Sequence, residues 1–128
     1  METITHAPTE GVYPATDDYA HALEVRNPAR FLFVAGTMGL DEQGAPAEGL
    51  TEQLPLIWRN LRAILASADM TVDNIVRLTS YLRDASYAEE NAKARVAALG
   101  GRRIPTTAIV AETLSPAWLV EIEVVAVA

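Results

Sequence analysis

Cysteine is absent from this 128-residue sequence, and histidine occurs only twice. Without cysteine the chain has no disulfide, no thiolate nucleophile and no zinc–cysteine cluster. The two histidines, His6 and His21, each stand alone in the sequence, unlike the closely spaced ligands of metal-binding motifs. We therefore expect a chain that holds no metal ion.

Basic residues and long apolar runs are also scarce. The chain has 10 Lys and Arg against 17 Asp and Glu, so its formal net charge is −7. Nucleic-acid binding depends largely on Lys and Arg contacts to phosphates, and anionic membrane surfaces attract the same residues. No apolar run approaches the roughly 20 residues that a membrane span needs, and the polar N-terminus has no signal-peptide core. We expect a cytoplasmic protein that binds neither nucleic acid nor membranes.

Two segments of the sequence have the pattern of helices. Apolar residues recur at helical spacing over residues 54–68, after Thr51, which is a suitable N-cap. Ser86 and Glu89 have the spacing of a capping box at the start of a second helix, and the glycine pair at 100–101 is suited to end it. The sequence therefore predicts two helices.

Apolar and β-branched runs before, between and after these helices predict five strands. Residues 1–16, which include Pro8, Gly11 and Pro14, are expected to be irregular. The length fits one domain over residues 1–128, and the order of elements is β-β-α-β-α-β-β. This pattern predicts an α+β fold with two helices on one face of a mixed sheet. The predicted strands cover residues 19–25, 31–35, 75–82, 106–111 and 118–127.

Two helices can cover only one face of such a sheet. The second and last predicted strands are nevertheless largely apolar on both faces, over residues 31–34 and 120–127. A single copy of the chain would leave a large apolar face in water. We therefore expect this face to be buried against further copies of the chain in a closed, symmetric oligomer.

The last predicted strand carries two carboxylates, Glu121 and Glu123, on the same face because strand side chains alternate. Their Cα atoms are expected to lie about 6.6 Å apart. Both side chains could simply face solvent on an edge strand. Alternatively, one could be an acid/base group at a subunit interface, where partial burial would raise its pKa toward neutrality.

Four segments of the chain together resemble a known family. They are FLFVAGTMGLDEQG, NLRAILASADMTVDNIVRLTSYLRD, IPTTAIV and LVEIEVVAV. Their order and spacing are similar to those of the Rid (YjgF-like) reactive-intermediate deaminases, over residues 19–127. The resemblance implies a fold like that of chorismate mutase, and a homotrimer with a barrel-like centre and ligand pockets between adjacent subunits. It also implies hydrolysis of imine or enamine acids, such as 2-aminoacrylate, to a keto acid and ammonia, without a metal or organic cofactor.

The resemblance also assigns roles to single residues. It matches Tyr19 to an aromatic residue over the pocket, Gly36 to a glycine whose backbone faces the ligand, and Asn91 to a helix asparagine of the site. It matches Glu121 to the glutamate that positions the attacking water. Each of the first three has a structural alternative: Tyr19 as a capping aromatic, Gly36 as a residue of a bulge or turn, and Asn91 as an exposed helix residue.

The chain departs from the family at the motif Pro-Ala-Arg-Ser before the fourth strand. Here the motif reads Pro-Thr-Thr-Ala, so Thr107 stands where the family has the arginine that binds the substrate carboxylate, and Ile109 follows on the same strand face. A threonine hydroxyl cannot form the bidentate pair that an arginine forms. Ile109 could instead be a core residue. Arg102 and Arg103 are either solvated loop residues or displaced anion contacts.

Three functions are compatible with these observations. The leading hypothesis is a hydrolase of the Rid type that acts on an imine, enamine or related unsaturated compound lacking the usual α-carboxylate. In this hypothesis Glu121 is the acid/base, and Thr107 and the Gly36 backbone bind the polar end of the ligand. The alternative is a trimer that binds a small metabolite without catalysis. Ribonuclease activity is the weakest hypothesis because the chain is acidic.

Overall fold

The computed structural model describes all residues from 1 to 128. Its main layer is a four-stranded sheet with strand order β3-β6-β4-β5, in which β4 and β5 are parallel and the other pairs are antiparallel. Two helices cover one face of this mixed sheet, as the sequence predicts. The elements are β1 (Glu2–His6), β2 (Ala22–Arg26), β3 (Phe31–Met38), α1 (Leu50–Ala66), β4 (Ile75–Leu82), α2 (Ala88–Ala98), β5 (Thr106–Val110) and β6 (Val120–Val127).

The expectation of an irregular N-terminal segment over residues 1–16 is wrong for its first part. Glu2–His6 forms β1, which pairs with β2 in a separate antiparallel ribbon. The run Thr-Ile-Thr has high strand propensity, and it becomes a strand because residues 22–26 provide a partner far along the chain. The breakers Pro8, Gly11 and Pro14 all follow this strand, so they do not oppose it.

Helix α1 packs its apolar stripe on the sheet, as its spacing predicts. Leu54, Ile57, Trp58, Leu61 and Leu65 are all buried. The helix starts at Leu50, one residue before the predicted N-cap Thr51, and Gly49 occupies the N-cap position. Its φ of 82° lies in the left-handed region, which glycine adopts without steric cost.

Helix α2 differs from its prediction at its start. The predicted capping box at Ser86 does not form; instead the Asp84 carboxylate accepts a hydrogen bond of 2.8 Å from the Ser86 backbone N–H, within a short 3₁₀ turn that precedes α2. The buried residues of α2 are Asn91 and Arg95. Arg95 is stabilised in this position by Asp18, because its Nη2 lies 2.8 Å from Asp18 Oδ2.

The two faces of the sheet differ sharply in burial. Alternate residues of β4 and β6, such as Leu78 and Ile122, are fully buried under the helices and form the core. The other face has no covering layer, and Phe33 on it is 76% exposed. We call this second surface the open face. It carries Phe31 and Phe33 from β3, Arg77, Thr79 and Tyr81 from β4, Thr107 and Ile109 from β5, and Glu121, Glu123 and Val125 from β6.

Candidate functional site

Glu121 lies on the open face of β6, with its carboxylate against Gly36 of β3. The pairing of β3 with β6 shifts register between Val34 and Thr37, which places Gly36 in a bulge. A Cβ atom built on Gly36 would lie 1.8 Å from Glu121 Oε2, far inside van der Waals contact. Only glycine therefore leaves the carboxylate its present position, and the structure brings Gly36 and Glu121 together. The alternative that placed Glu121 on an edge strand is wrong, because β6 lies between β3 and β4.

Glu123 has a partner that Glu121 lacks. The Tyr81 hydroxyl on β4 donates a hydrogen bond to Glu123 Oε1, although Tyr81 lies directly opposite Glu121 in the sheet. This hydrogen bond, then desolvation and the negative charges of Glu123 and Glu121, raise the pKa of Tyr81, against a smaller opposing effect of Arg77. The half-buried Glu121 carboxylate forms no hydrogen bond within the protomer, so its oxygens are free to contact a ligand or a water molecule.

The two glutamates border a cavity that could hold a small ligand. Tyr81, Glu121, Glu123 and the segment 111–114 enclose a volume of about 350 Å³. A larger cleft of about 590 Å³ runs between β3 and α1 and includes Gly36 in its wall. Gly36 and Glu121 thus stand between two open volumes, and both volumes are in the size range of small-molecule sites.

Thr107 and Ile109 lie on the open face, on strand β5. Thr107 pairs with Thr79 and Ile109 with Tyr81 in the parallel register of β4 and β5. Ile109 is 46% exposed, so its alternative assignment to the core is wrong. Arg77 Nη2 donates a hydrogen bond of 2.9 Å to Thr107 Oγ1. The structure therefore brings a guanidinium from the neighbouring strand to Thr107, the residue that the resemblance matches to the motif arginine.

Arg77 is absent from the predicted site residues, although a signal for its position is present in the sequence. Side-chain alternation in β4 places Arg77, Thr79 and Tyr81 on one strand face. The same alternation would put Ile75 on that face as well, but Ile75 is fully buried in the core. The register of β4 against β6 shifts between Ile75 and Arg77, which moves Ile75 to the helix-covered side.

The structure does not bring Tyr19 and Asn91 to the open face. Tyr19 packs edge-on against His21, with ring centroids 5.6 Å apart, and the neighbouring Ala20 N–H donates to the Ile104 carbonyl. Asn91 is 2% exposed within α2, and its Oδ1 is buried without a hydrogen-bond partner. The alternative that Asn91 is an exposed helix residue is therefore wrong. The structure of one protomer also gives no basis for a ligand-binding role of Asn91.

Arg102 and Arg103 have structural partners of their own. Arg102 Nη2 donates to the carbonyls of Val72 and Ile75 at 2.9 and 2.7 Å, and burial lowers the pKa of this guanidinium. Arg103 Nη2 lies 3.4 Å from Asp17 Oδ1 on the surface. Arg102 thus fastens the loop after α2 to the start of β4. Neither arginine contacts Thr107, which receives its hydrogen bond from Arg77.

No group of three or more His, Asp or Glu side chains is arranged to hold a metal ion. His6 lies 2.9 Å from Glu24, and His21 Nε2 lies 2.7 Å from the Tyr13 carbonyl. Neither helix combines the length and the hydropathy that crossing a bilayer requires.

Comparison with known sequences identifies relatives of this chain. A RutC family protein from Aquifex aeolicus is 40% identical over 67 residues, which are 52% of this chain, and the mitochondrial protein MMF1 of Saccharomyces cerevisiae is 29% identical over 93 residues, which are 71% of it. The alignments cover 51% and 62% of those two relatives, so the chain spans between about half and two thirds of their lengths. A RutC family protein from Pyrococcus horikoshii is 26% identical over 92% of this chain and 93% of its own length.

Solved structures share the fold across the whole chain. YyfB from Yersinia pestis, of the Rid protein family, superposes with a TM-score of 0.84 at 24% identity and covers 100% of both chains. Yeast Mmf1 gives a TM-score of 0.71 at 23% identity over 98% of each chain. At these identities the likeness shows the fold alone. The family model described as Endoribonuclease L-PSP matches residues 10–128. This match covers most of the chain and confirms the resemblance, so the protein belongs to the Endoribonuclease L-PSP family, also called the YjgF, Rid or RutC family.

Proposed function

We propose that this protein is a small-molecule hydrolase that acts on an imine, an enamine or a related unsaturated metabolite, with Glu121 as its acid/base. The observation that carries the proposal is the Glu121 carboxylate, which is half-buried, has no hydrogen-bond partner in the protomer and lies against Gly36 beside a 350 Å³ cavity. A carboxylate in such surroundings can both accept and return a proton.

The proposed reaction needs two proton transfers through Glu121. Water adds to the carbon of the C=N bond, while Glu121 accepts the proton that the water loses and passes it to the nitrogen. The resulting carbinolamine then loses its hydroxyl proton to the nitrogen by the same route. The C–N bond breaks, ammonia or an amine leaves, and the carbonyl forms. An enamine first takes up a proton on carbon and loses one from nitrogen, which converts it to the imine.

The proposed substrate lacks the usual α-carboxylate. Thr107 is neutral, and its hydroxyl oxygen already accepts a hydrogen bond from Arg77. It therefore cannot form a charged, bidentate pair with a carboxylate beside the reacting carbon. Thr107 and the Gly36 backbone would contact the polar end of the ligand by hydrogen bonds instead.

The proposed active unit is a homotrimer. The open face exposes Phe31 and Phe33, whose rings stack with centroids 6.2 Å apart. Burial of these rings against other copies would remove apolar area from water and would close the open volumes around Glu121. In this arrangement the ligand sites lie between subunits.

The test combines a binding screen with turnover assays. Imines, keto acids and aromatic metabolites are screened by thermal shift, and the compounds that bind are assayed for hydrolysis. Glu121→Gln should lower turnover about 10²–10⁴-fold, the usual contribution of an acid/base group. Glu89→Gln is a matched control because its side chain is 84% exposed on α2 and pairs only with Lys93. Full turnover in Glu121→Gln would show that Glu121 has a structural role. The same substitution would then be tested at Glu123.

The second candidate function is a trimer that binds a small metabolite without catalysis. The absence of an arginine at position 107 favours it, because the chain keeps the fold and the cavity but lacks a charged group of the family motif. Compounds that stabilise the protein and are never turned over would support this function. Hydrolysis that depends on Glu121 would exclude it.

A further inference from the structure

Leu114 is the most exposed large apolar side chain of the protein, at 94%. It follows strand β5, whose last residues Ile109 and Val110 are also exposed, at 46% and 58%. We call these three residues the apolar edge. Their exposure to water costs free energy, which burial against another apolar surface would recover.

The segment that carries Leu114 is anchored by hydrogen bonds. Arg83 Nη1 donates to the carbonyl of Thr113 at 2.8 Å and to its hydroxyl oxygen at 3.1 Å. The Thr113 hydroxyl in turn donates to the Trp118 carbonyl at 2.6 Å, and the Trp118 N–H donates to the Ser115 carbonyl at 3.0 Å. Because the backbone is held on both sides of Leu114, this side chain is fixed in an outward position before any partner binds.

A concave apolar surface lies on the opposite edge of the sheet. It is the cleft of about 590 Å³ between β3 and α1, and β3 is the outer strand on that side. The volume of the cleft exceeds that of one leucine side chain, so a leucine could enter and still leave space for a ligand. The apolar lining includes Leu32, Phe33, Ala35, Leu40, Ala63 and Ile64.

The apolar edge and the cleft lie at the same end of the sheet. Ile109 of β5 pairs with Tyr81 of β4. Tyr81 pairs with Glu121 of β6, which pairs with Met38 of β3, so Ile109 and Met38 are at one level across the four strands. Strands β3 and β5 run in the same direction, because β6 is antiparallel to both β3 and β4 and β5 is parallel to β4. The cleft reaches this end of β3, since Asn60 in its wall donates to the Met38 carbonyl at 3.1 Å.

This placement suits a closed ring of identical copies. Rotation about an axis along the strands keeps each feature at its own level, so the apolar edge of one copy meets the cleft of the next. The two surfaces differ, and such a heterologous contact closes when the rotation completes a ring. We infer that Leu114 of one copy enters the cleft between β3 and α1 of the next copy. The inference rests on the proposed function, because it takes the trimer as the active unit.

This contact would also complete the proposed site. Leu114 and the preceding residues form a wall of the 350 Å³ cavity that Glu121 borders. Gly36, which lies against Glu121, is part of the cleft wall. Each inserted leucine therefore fixes the cavity wall of its own copy and covers the cleft beside Gly36 of the next copy. The site of a separate protomer is incomplete in both respects.

The absence of cysteine allows this contact to be tested by specific cross-linking. The double variant Leu114→Cys/Ala63→Cys places one thiol on the apolar edge and one in the cleft. Both positions are exposed in the protomer, so its fold should persist. Oxidation, or a short reagent with two thiol-reactive groups, should link the copies into covalent dimers and trimers on a denaturing gel.

Three variants serve as controls for the cross-linking. Leu114→Cys and Ala63→Cys alone should give no cross-links, because the contact joins two unlike surfaces and does not bring equivalent residues together. Val96→Cys/Ala63→Cys also carries two exposed thiols, but Val96 lies on α2, away from the apolar edge. It should give no cross-links either. Native mass spectrometry of the reduced variants shows that all of them form trimers.

Truncation of the leucine provides a second measurement. Leu114→Ala should weaken the association of the copies about 10- to 100-fold per contact, the loss expected when a buried leucine side chain is removed. Sedimentation equilibrium over a range of protein concentrations measures this change. Val96→Ala is the matched control, because it removes exposed apolar surface from α2, and it should associate like wild type.

The outcomes separate this inference from the proposed function. A trimer in which Leu114→Cys/Ala63→Cys stays unlinked, or in which Leu114→Cys alone links to itself, would overturn the inference and leave the proposed function standing. Unchanged association in Leu114→Ala would do the same. A monomeric wild type would overturn both the inference and the proposed trimer. Cross-links between positions 114 and 63 in a protein without Glu121-dependent hydrolysis would refute the proposed function and leave the contact standing.

Discussion

Glu121 and Glu123 are two residues apart on the same strand face, yet their surroundings differ. Glu123 accepts the hydrogen bond of Tyr81, whereas Glu121 lies against a glycine and has no partner. Carboxylates in such different environments commonly take different roles in proton transfer. At the level of single residues, Tyr81 decides which of the two carboxylates is free.

The Tyr81–Glu123 pair should make the free energy of unfolding depend on pH in the alkaline range. The pKa of Tyr81 is raised in the folded protein, chiefly by its hydrogen bond to Glu123 and then by desolvation, with Glu123 and Glu121 adding negative charge and Arg77 opposing. A group with a raised folded pKa contributes stability below its unfolded pKa of about 10 and loses that contribution as pH rises through the folded value. Urea unfolding of wild type and Tyr81→Phe should therefore differ near neutral pH, and the difference should shrink at higher pH. A difference that stays constant through this range would contradict the assignment.

Thr107→Arg should increase activity on 2-imino acids. We expect wild type to be poor on 2-aminoacrylate, because the loss of one partner of a desolvated charge pair costs about 2–5 kcal/mol, roughly 30-fold to several-thousand-fold. An arginine at position 107 restores a carboxylate partner near the site. The new charge would lie close to the positive charge of Arg77. The double variant Thr107→Arg/Arg77→Gln should therefore gain more activity on 2-imino acids than Thr107→Arg alone.

Keto-acid release from enzymatically generated 2-aminoacrylate measures this gain. Ala108→Arg is the control, because Ala108 is the next residue of β5 and its side chain is exposed on the other side of the strand. High activity of wild type on 2-aminoacrylate, or equal rates in Thr107→Arg and Ala108→Arg, would show that position 107 does not determine the substrate class.

At the level of elements, the sequence predicts the helices and the core strands because their patterns are local. The stripe of α1, with Leu61 and Leu65 fully buried, follows from spacing alone. Strand β1 is missed because its five residues depend on pairing with a segment far along the chain. The place of Arg77 on the open face depends on the shift after Ile75, and its contact with Thr107 depends on the parallel pairing of β4 with β5. Both are tertiary features that one sequence does not encode locally.

The contact between α2 and the segment before β2 should be a significant source of stability. Arg95 is 5% exposed, and Asp18 is its ionic partner at 2.8 Å. Asp18→Asn would leave a buried guanidinium without a counter-charge, at a cost of about 1–3 kcal/mol, with water offsetting part of it because Asp18 is partly exposed. The adjacent Asp17→Asn is the control, since Asp17 is exposed and pairs only with Arg103 at 3.4 Å. Chemical denaturation should show a change below about 0.5 kcal/mol for this control. Equal losses of unfolding free energy in Asp18→Asn and Asp17→Asn would mean that Asp18 does not stabilise the buried guanidinium of Arg95.

At the level of the whole molecule, the open face links the fold to the proposed site. It combines apolar side chains such as Phe31 and Phe33 with the charged groups Arg77 and Glu121. The helices bury the other side of β4 and β6, so this surface is where a second layer can be added. Oligomer formation and ligand binding would then involve the same residues.

The chain should form a trimer in solution, with a mass three times the 13.8 kDa of one chain by native mass spectrometry or light scattering. Phe33→Glu should dissociate it, because an unpaired charge would be buried in the apolar interface. The fold of the protomer should persist, since Phe33 is 76% exposed there. Val96→Glu is the control, because Val96 lies on α2, on the helix-covered side of the sheet. If the sites lie between subunits, Phe33→Glu should also lose ligand binding, whereas Val96→Glu should keep both the trimer and the binding. A monomeric wild type, or a Phe33→Glu protein that remains trimeric, would show that the open face is not the subunit interface. The ligand sites would then not lie between subunits.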